Sequence, residues 1–180
     1  MSRILVLSGS PRKDGNTERL VASFVKGAEP NNEVEAISVC DYHINPCIGC
    51  NSCFASEAHK CFQNDDMTLV YDKLSKTDIV IIASPVYFYG ISAQLKAVVD
   101  RLHTPVRNSF PIKKLGLILV GAAELPELFD SILTQYRLIM NFFSLEDAGT
   151  VLVRGARDKG AVSDGDLMKA YHLGQSMKAD

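Results

Sequence analysis

The sequence predicts an α/β fold, in which a doubly wound parallel sheet carries helices on both faces. Five short apolar segments alternate with five segments whose apolar residues recur at helical spacing. The most apolar segment, DIVIIAS at Asp78–Ser84, lacks polar alternation, as expected of a parallel strand that is covered on both sides. No internal repeat or low-complexity stretch interrupts the series, so the strand–helix steps indicate one sheet.

The first half of the chain begins with a buried strand and a loop. The apolar run Arg3–Leu7 ends in Ser-Gly-Ser-Pro, which favours a strand followed by a turn. Thr17–Gly27 has the spacing of a helix, and Glu33–Val39 alternates as a second strand does. Met67–Ser75 is long enough for one short helix. Two of the five strand–helix steps are therefore predicted before residue 76.

The second half repeats the same alternation three times. Its predicted elements are the strand Asp78–Ser84, the helix Gly90–Leu102, the strand Leu115–Gly121, the helix Leu125–Phe143, the strand Leu145–Val153, and a helix that starts at Ser163 or Asp164 and runs to about Met177. Ligands of such sheets bind beyond the carboxyl ends of the strands. That rule selects three loops: Ser8–Thr17, Ser84–Gly90 and Gly121–Pro126.

Composition narrows the class of protein. The chain has 180 residues, which we expect to form a single domain over residues 1–180, and its net charge of −2 argues against a nucleic-acid binder. No apolar run approaches the roughly 20 residues of a membrane span. The run Ile4–Leu7 is too short for a signal-peptide core of roughly 7–15 residues. We therefore expect a cytoplasmic protein that binds neither membranes nor nucleic acid, with reduced thiols.

Four cysteines fall within fifteen residues, in an excursion from the sheet at residues 41–66. Cys47, Cys50, Cys53 and Cys61 have the spacing C-x2-C-x2-C-x7-C. Consecutive C-x2-C steps are typical of ligands of an iron–sulfur cluster. Zinc also accepts four thiolates, although its sites usually separate two pairs by a longer stretch. A redox dithiol needs only one C-x-x-C pair, so all three interpretations stay open.

The loop Ser8–Thr17, SGSPRKDGNT, has the residues of a phosphate site. It lacks both the nucleotide P-loop motif and G-x-G-x-x-G. It does offer Ser8, Ser10, Arg12, Asn16 and Thr17 together with the free N–H groups of a helix amino end, which suit a phosphate monoester. The alternative is a capped turn, with Asn16 or Thr17 as the N-cap residue.

The loop SPVYFYG places three aromatic residues in a row at a strand end. Tyr87, Phe88 and Tyr89 follow Pro85 and Val86 and precede Gly90. Aromatic rings at this edge either cover a flat ligand or pack under the next helix. Gly90 would let the backbone approach a ligand closely.

Together these motifs resemble a known family. GSPRKDGNT, the cysteine segment, DDM and SPVYFYGISAQLKAVVDR are similar to the flavodoxin-like NAD(P)H-dependent FMN reductases, with the closest resemblance to iron–sulfur flavoproteins, over about residues 3–121. The resemblance implies strand order 2-1-3-4-5 and noncovalent FMN. It assigns the phosphate to Ser10, Arg12, Asn16 and Thr17, the isoalloxazine ring to Pro85–Gly90, and a [4Fe–4S] cluster to Cys47, Cys50, Cys53 and Cys61. The seven-residue final gap is long for that cysteine motif.

The function implied by the resemblance is an FMN-dependent oxidoreductase with NAD(P)H as electron donor. Its electrons would pass to a small-molecule or protein acceptor, and we expect a homo-oligomer. The flavin performs the chemistry, so no catalytic side chain is assigned. The alternative is a binding protein of the same fold without turnover, or a zinc-stabilised interaction protein.

Polar side chains outside these loops have structural interpretations. Lys96, Asp100 and Arg101 lie at positions i, i+4 and i+5 of one helix, which predicts a surface or subunit contact. Cys40 is predicted to be a buried core thiol, and His103 a cap for the carboxyl end of that helix. No Ser/His/Asp or paired-carboxylate arrangement supports hydrolysis.

Overall fold

The computed structural model describes residues 1–177, and these contain one five-stranded, all-parallel sheet. The strands are β1 (Arg3–Ser8), β2 (Glu33–Ser38), β3 (Ile79–Pro85), β4 (Lys114–Val120) and β5 (Glu146–Val153). Their order is β2-β1-β3-β4-β5, so the predicted order and flavodoxin-like sheet are confirmed. Each predicted strand agrees with the observed one to within one residue at either end.

Six helices lie among the described residues. They are α1 (Asn16–Ala28), α2 (Ser52–Ala55), α3 (Met67–Leu74), α4 (Ala93–Arg101), α5 (Asp130–Phe143) and α6 (Asp164–Ser176), with short 3₁₀ turns at Val39–Asp41 and Pro105–Ser109. Within residues 1–177, none of them is both long and apolar enough to span a lipid bilayer. The short helix α2 was not predicted and lies inside the cysteine segment.

The sheet is the middle of three layers. Alternate residues of β1 face opposite sides: Ile4 and Val6 pack with α1 and α6, whereas Leu5 and Leu7 pack with α3, α4 and α5. All four are almost completely buried. Burial of each such side chain is worth about 1.5–3 kcal/mol, which explains why the apolar runs identified the strands.

Two helices pack with their backbones in close contact. An added Cβ on Gly174 of α6 would lie 2.9 Å from the Ala28 nitrogen and 3.1 Å from the Gly27 carbonyl carbon. The glycines therefore let α6 settle directly on α1. This packing fixes the position of α1, whose amino end faces the edge of the sheet where the predicted loops lie.

Helix α5 begins later than predicted. The sequence indicated a helix from Leu125, but the helix starts at Asp130. The Arg154 side chain donates from Nε to the Leu125 carbonyl at 3.0 Å and from Nη2 to the Pro126 carbonyl at 2.7 Å. The Leu125 carbonyl also accepts from the Leu128 N–H at 3.2 Å, a bond that spans three residues instead of the four of an α-helix. The first turn that the periodicity suggested is instead irregular.

Candidate functional site

The carboxyl ends of neighbouring strands are tied together by backbone hydrogen bonds. The bonds run from Gly9 N–H to the Ala83 carbonyl, from Val86 N–H to the Val120 carbonyl and from Gly121 N–H to the Val153 carbonyl, each 2.8 Å long. The three predicted loops consequently meet at one edge of the sheet. At Gly9 the loop after β1 runs so close to α4 that an added Cβ would lie 2.7 Å from the Leu95 Cβ.

Helix α1 begins at this edge without a side-chain cap. Its N-cap residue is Gly15, and no side chain accepts a hydrogen bond there in the usual capping geometry. The alternative in which Asn16 or Thr17 is the N-cap is therefore not found. Uncapped N–H groups of a first helical turn are suited to an anionic ligand.

Three buried hydroxyl residues lie along the connection from β1 to the first turn of α1. Ser8, Ser10 and Thr17 are all buried, and the Ser8 Oγ is a fully buried side-chain oxygen with no hydrogen-bond partner among the described residues. Ser8 alternates with Val6, so it projects from the face of the sheet that α1 covers. Buried polar atoms without partners are uncommon in proteins and call for an explanation. A polar ligand at the amino end of α1 fits this arrangement.

Arg12 adds a free positive charge. Its backbone N–H bonds the Ser10 Oγ at 3.3 Å, which fixes the turn. Its guanidinium is exposed and makes no hydrogen bond or ion pair with any other residue of the described range 1–177. The loop thus holds hydroxyls, N–H groups and a cation, which together fit a phosphate monoester such as that of FMN.

Asn16 has other partners. Its amide nitrogen donates to the carbonyls of Ala156 at 3.0 Å and Asp158 at 2.8 Å, and its Oδ1 accepts from the Gly160 N–H at 2.9 Å. These bonds use the full donor capacity of the side chain. Asn16 therefore joins the loop after β5 to the start of α1. Its predicted contact with phosphate stays a prediction.

The loop after β3 closes in a tight turn. Tyr87 N–H bonds the Gly90 carbonyl at 2.9 Å, and Gly90 N–H bonds the Tyr87 carbonyl at 3.0 Å. Phe88 has φ +48° and Tyr89 has φ +64°, so both central residues are left-handed. Two-residue turns of this kind normally contain Asn and Gly. Aromatic residues in this conformation are rare, and such strain concentrates at functional sites.

The rings of this turn point away from the core. Phe88 is 99% exposed, Tyr89 50% and Tyr87 43%, so the alternative of packing under the next helix fails for Phe88. The turn is held from outside because Ser131 of α5 donates a hydrogen bond from Oγ to the Tyr89 carbonyl. The chain therefore presents aromatic surface beside the sheet edge.

The third loop is bound to β5 and its following loop. Besides the contacts of Arg154, Gly155 N–H bonds the Ala123 carbonyl at 3.1 Å and Ala156 N–H bonds the Gly121 carbonyl at 3.0 Å. The Arg154 guanidinium also lies 4.8 Å from the centre of the Phe129 ring. These contacts attach the third loop to the segment that follows β5.

The four cysteines of the motif line one cavity of about 80 Å³. Cys47 and Cys50 are exposed, Cys53 and Cys61 are half-buried, and all four are free thiols. Within residues 1–177, no three His, Cys, Asp or Glu side chains stand close enough together to hold a metal ion. The four thiols therefore supply the donor atoms of a four-thiolate site and lie around one cavity. Among the described residues, no three of them are close enough together to bind one metal ion.

The cysteine segment rests on a buried ion pair that the sequence did not reveal. The Arg101 Nη1 donates to the Asp65 carboxylate, and their side chains are only 3% and 0% exposed. The predicted surface role of Arg101 is therefore wrong, although Lys96 and Asp100 do form the expected exposed pair at 2.5 Å. Burial alone would raise the pKa of Asp65. Hydrogen bonds from Asn45 N–H and from Arg101 outweigh burial and hold that pKa below its usual value.

Neighbouring side chains complete the floor of this cavity. Tyr71 donates from Oη to the Arg101 carbonyl at 2.6 Å, and burial raises the pKa of Tyr71 to about 12. The His103 ring stacks between Phe54 at 5.4 Å and Phe142 at 5.7 Å, measured between ring centroids. His103 is thus a packing residue beside the cysteines rather than a side-chain cap. Cys40, outside the motif, is half-buried, and burial raises its pKa.

Comparison with known proteins gives consistent matches. The family model described as NADPH-dependent FMN reductase matches residues 2–145. An iron–sulfur flavoprotein of Methanocaldococcus jannaschii is 43% identical over 124 residues, which cover 67% of this chain and 63% of that protein. An iron–sulfur flavoprotein of Archaeoglobus fulgidus is 33% identical over 175 residues, which cover 94% of this chain and 76% of that protein.

Solved structures share the architecture. An NAD(P)H:quinone oxidoreductase from Methanothermobacter marburgensis superposes with a TM-score of 0.77 over 97% of this chain and 98% of that one. Its sequence identity is 14%, so this likeness concerns the fold alone. It agrees with the strand order described above.

Proposed function

The chain belongs to the NADPH-dependent FMN reductase family, and from this premise we propose that it is an FMN-dependent NAD(P)H oxidoreductase whose four motif cysteines hold a [4Fe–4S] cluster. In this proposal electrons leave the protein for a small-molecule or protein acceptor. The observation that carries the flavin assignment is the uncapped amino end of α1, surrounded by buried hydroxyls.

The phosphate of FMN would bind at the loop after β1. Thr17 would donate a hydrogen bond from its hydroxyl, and Ser10 would do so by turning its hydroxyl away from the Arg12 carbonyl, to which it donates at 3.3 Å. Arg12 would supply the positive charge that no residue of the described chain neutralises. Hydrogen bonds to a charged group are worth about 1.5–3 kcal/mol each, so a few of them give substantial affinity. Asn16 stays a proposed contact of the phosphate, and its hydrogen bonds to Ala156, Asp158 and Gly160 also position the neighbouring loop.

The isoalloxazine ring would lie against residues 85–90. When bound, FMN supplies the redox chemistry with NAD(P)H. The chain's own contribution is to bind and orient: the Tyr87–Gly90 turn offers exposed aromatic rings, and Ser131 holds the turn in place. The backbone N–H groups of Phe88 and Tyr89, which donate no hydrogen bond among the described residues, are available for the polar edge of the ring. No side chain is required as acid or base.

The cluster would be held by Cys47, Cys50, Cys53 and Cys61. Their common cavity and the names of the two relatives support this assignment over zinc. Consecutive C-x2-C spacing favours a cubane cluster as well. A cluster would let the protein deliver electrons one at a time, which suits an electron carrier.

The proposed electron acceptor and a second copy of the chain would both bind exposed apolar surface. The proposed acceptor needs access to the edge that carries Phe88, which is exposed and meets the Tyr89 ring at 5.9 Å between centroids. Homo-oligomer formation remains part of the proposal, and exposed apolar residues of α5 such as Leu138 and Phe142 are available for it.

The flavin is tested on protein purified without air. Acid release and chromatography should yield FMN at about one molecule per chain, and the protein should oxidise NADPH or NADH with an artificial acceptor. Recovery of FAD, or of no flavin after incubation with FMN, would contradict the proposal.

The cluster is tested by iron and acid-labile sulfide after anaerobic reconstitution. We expect about four iron atoms per chain, as a cubane requires, and a marked loss in Cys50→Ser. Cys40→Ser is the matched control because Cys40 lies outside the motif, and it should keep its iron. Equal iron in both variants would rule the cluster out and leave a plain flavin reductase.

A further inference from the structure

The two ends of the cysteine segment are held together by contacts among Asn45, Asp65 and Arg101 and between His43 and Asp66, and we call these contacts the neck. Asp65 Oδ2 accepts from the Asn45 N–H at 2.9 Å, and Arg101 Nη1 donates to the Asn45 carbonyl at 3.3 Å as well as to Asp65. One step outward, His43 and Asp66 exchange two further bonds, of 2.7 Å from His43 N–H to the Asp66 carboxylate and 3.0 Å from Asp66 N–H to the His43 carbonyl. The two ends of segment 46–64 are therefore held together.

The segment itself has little internal support. Its regular structure is the four-residue helix α2, and residues 47–50 are all exposed. One bond of 3.2 Å, from Gln63 Nε2 to the Pro46 carbonyl, joins its two ends from within. Cys47 lies two residues beyond Asn45, and Cys61 lies four residues before Asp65. The distance between the first and last cysteine is therefore set by the neck together with the exposed Gln63–Pro46 bond, and the neck is its buried part.

The buried ion pair between Arg101 and Asp65 is better explained by positioning of the segment than by added stability. A buried ion pair rarely adds stability over an apolar pair of the same size, because both charges lose their hydration. Here Asp65 also accepts from the Met67 N–H at 3.2 Å, so the one carboxylate joins the start of the segment to the start of α3. Arg101 comes from α4 and lines the same cavity as the four cysteines.

We propose that Arg101 and Asp65 are positioning residues for the cysteine site, which hold the ends of segment 46–64 together so that Cys47 and Cys61 face one cavity. The link to a cluster rests on the proposed function above, but the spacing of the two thiols can be measured without iron. The pair acts through the backbone at the two ends of the segment, and we assign it no contact with a reacting atom.

The direct test is a cross-link between Cys47 and Cys61 in iron-free protein. With Cys40, Cys50 and Cys53 replaced by serine, the short bifunctional thiol reagent dibromobimane should join the remaining two cysteines, as measured by mass spectrometry. Adding Arg101→Met together with Asp65→Asn removes both charges but keeps an amide oxygen for the Asn45 N–H, so the fold should persist. The rate of cross-linking should fall by about tenfold, since the effective concentration of one thiol at the other falls.

Two further variants sharpen the result. Lys96→Met is the control, because it breaks an exposed ion pair on the same helix and should leave the cross-link unchanged. Arg101→Lys should restore most of the rate, since a single nitrogen of Arg101 makes both contacts of the neck. Unchanged cross-linking in the double variant, with its fold confirmed by circular dichroism, would overturn the proposal.

Iron content then separates this proposal from the one before. In the otherwise native chain, the Arg101→Met and Asp65→Asn pair should reduce reconstituted iron while Arg101→Lys retains it. A native chain without iron would refute the cluster, whereas the cross-link would still decide the role of the neck.

Discussion

Asn16 Oδ1 accepts a hydrogen bond of 2.9 Å from the Gly160 N–H, which joins the first turn of α1 to a loop 144 residues further along the chain. The amide nitrogen of the same side chain bonds the Ala156 and Asp158 carbonyls. The start of α1 and the loop after β5 thus form one hydrogen-bonded unit at the proposed phosphate site.

The first prediction is that Asn16→Ala destabilises the protein even without flavin. The free energy of unfolding should fall by about 1–3 kcal/mol, because carbonyl groups lose their donor. Urea denaturation of the flavin-free protein measures this, and amide hydrogen exchange should speed up at residues 156–160. Asn141→Ala, whose exposed side chain has no hydrogen bond among the described residues, should be neutral. Unchanged stability with weaker FMN binding would instead make Asn16 a phosphate ligand.

The sheet could be predicted from sequence because its signal is local. Strands such as the one that contains Val80 and Ile82 are buried on both faces, so nearly every residue along them is apolar. Asn16 and Arg101 could not be assigned in this way. Their partners lie 140 and 36 residues away, at Ala156 and Asp65, and no periodicity within one helix reports such contacts.

The left-handed conformation of the turn after β3 could not be predicted from the sequence for a different reason. Its left-handed residues are Phe88 and Tyr89, whereas the sequence signal for such a turn is Asn-Gly or Asp-Gly. The aromatic residues pointed to a ligand, and that interpretation still awaits its test. Their backbone conformation is imposed by the Tyr87–Gly90 hydrogen bonds and by Ser131, which only the folded chain brings together.

The second prediction concerns the hydroxyl of Thr17. This residue is buried in the first turn of α1, and its side chain has no hydrogen bond among the described residues. Thr17→Val keeps the shape and removes the donor, so the Kd for FMN should rise by about tenfold or more, as loss of a bond worth about 1.5–3 kcal/mol predicts. Flavin fluorescence titration gives the Kd. Thr134→Val, on the exposed side of α5, should leave it unchanged, and equal Kd values for both variants would place the phosphate elsewhere.

The third prediction is that Phe88→Asn stabilises the flavin-free protein. The left-handed conformation costs most residues about 1–2 kcal/mol, and asparagine tolerates it better, so the free energy of unfolding should rise by about 1 kcal/mol. The exposed Phe88 ring has little packing to lose. Phe62→Asn is the control, because Phe62 is also exposed but lacks a positive φ, and it should show no gain. An equal gain in both variants would mean that replacing an exposed aromatic ring by an amide, and not relief of backbone strain, raises the free energy of unfolding.

The last prediction uses Gly90 to locate the flavin ring. Within residues 1–177, a Cβ added at Gly90 would meet only the Tyr87 carbonyl oxygen, at 3.6 Å, and the φ of Gly90 is not positive. The chain itself can therefore accept a side chain here, and Gly90→Val should change the free energy of unfolding of the flavin-free protein by no more than about 0.5 kcal/mol. A ligand lying against this backbone would be displaced. Overpacking costs about 1–3 kcal/mol, which corresponds to a rise in the Kd for FMN of about five-fold to a hundredfold.

A graded series makes the result decisive. Gly90→Ala should weaken FMN binding less than Gly90→Val does, because the added volume is smaller. Gly165→Ala, in α6, is the control, since a Cβ there meets only the Ser163 Oγ, at 3.7 Å, among the residues that the structure describes, and lies outside the proposed site. Because the flavin-free fold should be unaffected throughout, the ratio of Kd values reports the approach of ligand to backbone alone. A Gly90→Val protein that binds FMN as tightly as the native chain would show that residues 85–90 do not lie along the ring.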